Sequence, residues 1–134
     1  MPGKLSLFGE LSALTSLFRD QDIYMGLATS AITRDDSIAD ITEVAGEPGY
    51  SRQLVLFKVP EDHENRGSIF NAERVDFGPW QSEQTPPILY SFLTNAPSGP
   101  GEIIAYAQLP TPKAPDVDEL MVLRVDDLLV QIYS

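Results

Sequence analysis

The sequence predicts a mainly β fold, a small antiparallel β-sandwich or barrel-like domain carrying one N-terminal amphipathic helix. Two observations predict it. Leu7, Leu11, Leu14 and Phe18 recur at spacings of four, three and four, which draws one apolar stripe along a helix from about residue 4 to 18. After residue 20 that period is lost, and short segments rich in Val, Ile, Leu, Phe and Tyr alternate with Pro- and Gly-bearing turns.

The elements follow in order. Arg19-Asp20-Gln21-Asp22 ends the helical pattern, and IYMGLAT at 23–29 reads as a strand in which Gly26 allows close packing. Residues 30–40 read as an exposed loop. A Gly- and Pro-bearing turn at 46–49 leads to a strand from Tyr50 to Val59, then a polar loop, PEDHENRG, then a weaker strand from about Ser68 to Phe77. FGPWQSEQTPP reads as a loop. ILYSFLT at 88–94 and IIAYAQL at 103–109 read as a hairpin joined by NAPSGPGE. The stretch PTPKAPDVDE at 110–119 reads as a stiff surface connection, and the last block splits into two short strands around Asp126-Asp127. One domain is expected for the 134 residues, with the helix in 1–20 and the β part in 21–134.

Composition narrows the function. The chain has 20 acidic residues against 9 basic ones, a formal charge of −11, which disfavours a phosphate backbone as a partner and suits a basic docking surface. With no cysteine there is no disulfide or thiolate chemistry, and the common structural zinc sites are absent too. No apolar run nears the roughly 18 residues of a membrane span, and the start of the chain does not read as a targeting segment. No cofactor and no metal site are expected.

Motifs for catalysis are equally scarce. The single histidine, His63, lies in the polar run Glu61-Asp62-His63-Glu64-Asn65, and no nucleophile elbow or phosphate-binding glycine loop accompanies it. Acidic groups at Asp35-Asp36, Asp62 with Glu64, Asp116 to Glu119 and Asp126-Asp127 lack the spacing of a calcium loop and read as solvated turns. Trp80, Tyr90, Phe92 and Tyr106 could form a sugar platform but read as core. Gly49, Tyr50 and Arg52 read as the start of a strand, with Arg52 at its wet end pairing with a carboxylate. The stripe of Leu7, Leu11, Leu14 and Phe18 must be covered by the chain's own sheet or by a neighbour.

These residues, in this order, resemble a group of small bacteriophage virion proteins of the tail-fibre-like or head-decoration kind. The resemblance runs over about residues 5–134. It rests on the helix, Tyr24 to Thr29, Thr42-Glu43-Val44 followed by Gly49-Tyr50-Ser51-Arg52-Gln53, the segment Asn71 to Phe77, Trp80, and Ile104 to Pro110. The chain departs from the pattern at Glu47-Pro48 and in the proline-rich approach to the last strands. The resemblance implies a non-enzymatic structural component of the phage particle, decorating or cementing the capsid or forming part of the tail. It further implies a symmetric homo-oligomer, with other virion proteins such as the major capsid or tail proteins as partners. A tail-associated receptor- or carbohydrate-binding module using Trp80 is the alternative. On this reading Leu7, Leu11, Leu14 and Phe18 are the candidate interface, and Gly49, Tyr50, Arg52, Trp80 and Tyr106 the candidate structural motif.

Overall fold

The fold, obtained as a computed structural model, is described for residues 3–46 and 49–132. The Glu47-Pro48 part of the expected turn lies outside them. The fold class is as expected, antiparallel sheets with one N-terminal helix, and the three sheets have the open strand orders given below. The chain is organised as two compact units, one from Met1–Asp22, Val55–Arg74 and Leu123–Ser134, the other from Ile23–Leu54 and Val75–Val122.

The first unit begins with helix α1, Leu7–Phe18, capped by the Ser6 hydroxyl, which accepts from the Gly9 N–H at 3.2 Å. This satisfies a donor that the helix cannot satisfy internally. The helix packs on a three-stranded sheet of β3 (Glu61–His63), β4 (Arg66–Phe70) and β9 (Leu129–Gln131), with β4 in the middle. The polar stretch expected to be a loop is in fact the β3–β4 hairpin. Glu61 pairs with Ser68 and His63 with Arg66, and Glu64 and Asn65 form the two-residue turn with φ of 56° and 62°. Positive φ at both positions is what a tight hairpin needs, and Asn supplies it readily. The hairpin hid from pattern reading because β3 is a mostly exposed edge strand with no apolar alternation.

The strand expected from Tyr50 to Val59 is shorter. β2 covers only Gln53–Val55, and beyond it Phe57 makes an isolated bridge to Asn71. Its far half is buried on one side only: Val55 and Phe57 are interior while Leu54 and Leu56 are about half exposed. The expected weak strand divides at Asn71 into β4 and β5 (Val75–Phe77). Asn71 is fully buried; its amide donates to the carbonyls of Glu73 and Arg124, both at 2.9 Å, and its Oδ1 accepts from Leu128 N–H at 2.9 Å. One side chain therefore clamps the turn before β9, where the sequence reading had placed a strand break at Asp126-Asp127.

The second unit is built on a four-stranded sheet in the order β2-β1-β6-β7. β1 is Ile23–Ala28, β6 is Ile88–Thr94 and β7 is Ala105–Lys113. Tyr24 pairs with Thr94 and Ala28 with Tyr90, so the apolar strands β1 and β6 lie side by side. Gly26 is needed there, because a Cβ on it would come within 2.3 Å of the Phe92 ring. β7 runs on through Pro110 and Pro112, contrary to the expected end at Leu109. It can do so as an outer strand, where a missing N–H costs no ladder bond, and the register to β6 shifts between Ile88 and Tyr90, where the prolines fall. The remaining pair, β5 with β8 (Met121–Leu123), forms a two-stranded sheet.

Candidate functional site

The most heavily bonded group of side chains in the second unit is the one the sequence marks by Glu43 and Gly49 to Arg52. It starts from backbone geometry. Gly49 has φ of 111°, and a Cβ there would also meet the Pro79 carbonyl at 2.6 Å, so only glycine turns the chain tightly enough to drop Tyr50 into the core. Tyr50 is 6% exposed and stacks on Phe77 with ring centroids 6.0 Å apart. Its hydroxyl accepts from Leu27 N–H at 2.9 Å and donates to Glu43 Oε2 at 2.6 Å.

Arg52 completes the cluster and corrects the expectation of a wet strand end. Its side chain is 3% exposed. Residues 50–52 precede β2, so the in-and-out alternation of a strand does not apply to them and both Tyr50 and Arg52 turn inward. The guanidinium donates from Nε to Glu43 Oε2 at 2.9 Å and from Nη2 to Glu43 Oε1 at 2.8 Å. It also donates from Nη1 to the Ala96 carbonyl at 2.8 Å and from Nη2 to the Gly99 carbonyl at 2.6 Å. Its flat face lies 5.7 Å from the Phe92 ring centroid. Arg52 thus ties the 43–50 segment to the loop after β6, a job its planar fork can do and a lysine cannot.

Electrostatics follow the same geometry. Burial first, and then the hydrogen bond to the Glu43 carboxylate, push the Tyr50 phenol far above its ordinary range, so it keeps its proton. The hydrogen bond to Glu43 raises the Arg52 guanidinium further, against the opposing effect of burial. Neither group is poised to exchange a proton near neutrality. No buried side-chain nitrogen or oxygen lacks a partner among the described residues. Glu43, whose carboxylate organises the cluster, is not among the site residues the sequence predicts; the signal for it is an acid in Thr42-Glu43-Val44, directly ahead of the glycine turn that leads to Arg52.

Other sequence candidates scatter. Trp80 is fully buried, its indole N–H donating to Gln84 Oε1 at 3.1 Å and its backbone exchanging bonds with Asp118 and Glu119, so no ring face is open to a sugar. Tyr106 lies on β7, 42% exposed and tilted against Tyr90 at 6.5 Å. The helix stripe is graded: Leu7 is 44% exposed and Leu11 half-buried, while Leu14 and Phe18 are 1% and 4% exposed. Phe18 meets Phe57 at 5.2 Å, and the buried face of α1 includes Glu10, which accepts from Gly67 N–H on β4 at 3.1 Å. His63 stands edge-on to Phe70 at 5.3 Å. No group of His, Asp and Glu able to hold a metal ion occurs among the described residues.

A glycine-positioned tyrosine, a buried arginine fork and a single carboxylate, bonded to one another and to nearby backbone, define a β module pinned at this cluster by side-chain hydrogen bonds. Residues 12–131 match the family model described as podophage GP4 fiber I protein gp80. The chain belongs to that family, and is therefore a small phage virion structural protein of the fibre type. No curated protein matches it.

Proposed function

We propose that the chain is a building block of the phage tail fibre, held in the particle by contacts with other virion proteins and performing no reaction. The observation that carries this reading is the extent of the family match, which takes in every strand and most of α1. The chemistry of the candidate site supports it: the Glu43, Tyr50 and Arg52 side chains spend their polar groups on each other and on backbone, which gives stiffness and leaves little for a ligand. A formal charge of −11 favours a neighbour with a basic surface.

Gold-tagged antibody against the chain, applied to intact particles and imaged, tests this directly. Label confined to the tail is the expected result. Label spread over the head lattice would overturn it in favour of capsid decoration, and particles without label would overturn any place in the virion.

A further inference from the structure

Gly67 leaves a gap on the helix side of the first unit's sheet. A Cβ there would come within 2.5 Å of the Glu10 Cβ, so the missing side chain is what lets α1 settle onto β4. Asp62 stands directly opposite Gly67 across the β3–β4 pair. On the other side Ile132 continues the β9 register, its N–H donating to the Gly67 carbonyl at 3.1 Å. Residues opposite one another in antiparallel strands share a face, so Asp62 and Ile132 both turn toward α1. With Glu10, and with the exposed Leu5 and Leu7 at the start of the helix, they line a cavity of about 330 Å³. Glu10 is the unusual member. It is 6% exposed, and its Oε1 accepts from Gly67 N–H, while its Oε2 takes no donor among the described residues. No fully buried side-chain oxygen is left without a partner there, so Oε2 opens into the cavity. An acid taken out of water is stable only when hydrogen bonds or an opposite charge replace that water, and here half of its acceptor capacity is unused.

We propose that this cavity receives one basic side chain of a neighbouring virion protein, its cationic head at Glu10 Oε2 and Asp62 and its alkyl stem against Leu5, Leu7 and Ile132. Charge selects the head. Two acids, Glu10 and Asp62, against one base, Arg66, leave the lining at a formal −1, and the half-bonded buried acid gains most from a cation. The apolar part of the lining selects the stem, since lysine and arginine bury their methylenes along apolar surface and keep the charge at the tip. Size agrees, because 330 Å³ is at the small end of ligand pockets and suits a single side chain. A metal ion fits less well: no group of three possible ligands occurs among the described residues. The source of the side chain rests on the fibre proposal, in which a chain at −11 attracts basic neighbours; the cavity itself rests on the meeting of α1 with β3 and β4.

Titration of the isotope-labelled full chain with Nα-acetyl-lysine methylamide, in about 0.1 M salt and followed by amide chemical shifts, reads the cavity. The expected result is a saturable shift of the Gly67 and Asp62 amides with a Kd in the millimolar range, as fits one side chain binding alone. The norleucine analogue, which has the stem without the ammonium, should give no saturable shift. Glu10→Gln keeps the acceptor for Gly67 N–H, so circular dichroism should be unchanged while binding of the lysine compound weakens about tenfold. Asp62→Asn should weaken it roughly threefold, since Asp62 is exposed. Particles assembled with the Glu10→Gln chain should carry less gold label than wild-type particles. No saturable shift, equal binding of the norleucine analogue, or full affinity in Glu10→Gln would each overturn the site. Probe binding with full labelling of Glu10→Gln particles would overturn the neighbour as its occupant. Probe binding beside unlabelled wild-type particles would instead overturn the fibre proposal, and with it the source of the side chain.

Discussion

The guanidinium of Arg52 holds the carboxylate of Glu43 with two donors, at 2.9 and 2.8 Å, where the arginine side chain is 3% exposed and the glutamate 22%. The asymmetry in exposure predicts an asymmetry in mutational cost. Glu43→Ala strands a buried cation, while Arg52→Ala leaves a carboxylate that water can partly reach. Breaking a buried pair from one side costs about 3–5 kcal/mol, and Arg52→Ala should fall at the lower end with Glu43→Ala above it. Arg52→Lys should recover little, because an ammonium cannot reach the carboxylate and the Ala96 and Gly99 carbonyls together. Urea unfolding at neutral pH, with the double variant to close the cycle, measures both costs; equal losses, or losses under about 1 kcal/mol, would mean the pair behaves as a surface contact.

Tyr50 carries a pH signature. Its folded phenol titrates above the unfolded value of about 10, so its contribution to stability is fully present below pH ~10. As pH rises beyond that, the unfolded chain releases the proton while the folded chain keeps it, and stability falls by up to ~1.4 kcal/mol per pH unit. Tyr50→Phe removes this dependence. At neutral pH the same change leaves Leu27 N–H without its acceptor and should cost about 1–3 kcal/mol. Unfolding midpoints from pH 8 to 11.5 should therefore converge for the two proteins as pH rises. Parallel curves would show that the phenol is not protected.

What the sequence made legible was what local pattern controls. β1 and β6 are apolar strands with turns on either side, and the structure places them within a residue of where they were expected. The β3–β4 hairpin and the proline-bearing half of β7 escaped because edge strands need neither apolar alternation nor every backbone donor. The burial of Arg52 escaped for a different reason. An arginine near a strand start reads as exposed until its partners are known; Glu43 lies only nine residues back across the glycine turn, but Ala96 and Gly99, 44 and 47 residues on, are brought to it by tertiary folding. Trp80 was read as core on size alone and is core; which strand segments surround it lay beyond the sequence.

Glu10 is a buried acid on a helix face otherwise formed by Leu14 and Phe18, and its Oε1 accepts from Gly67 N–H at 3.1 Å. Glu10→Gln keeps an acceptor of the same reach and should change stability by less than about 1 kcal/mol. Glu10→Ala leaves the Gly67 N–H buried and unpaired, at a cost of about 1–3 kcal/mol. Hydrogen exchange of the Gly67 amide gives an independent reading: it should accelerate in Glu10→Ala and stay slow in Glu10→Gln. Equal exchange in both variants would mean that the carboxylate does not guard that bond.

Trp80 turns the contrast between fibre block and sugar-binding module into a spectroscopic measurement. It is the single tryptophan of the chain, 0% exposed, and its indole N–H is already taken by Gln84. Acrylamide should quench its fluorescence weakly in the folded protein and strongly once urea has unfolded it, and mono- and oligosaccharides should leave the emission unchanged because a stacked sugar needs an open ring face. Gln84→Ala orphans the indole N–H and should cost about 1–3 kcal/mol while leaving quenching weak. Strong quenching of the folded protein, or a saturable change on adding sugar, would place Trp80 at a surface and reopen ligand binding as the role of this part of the chain.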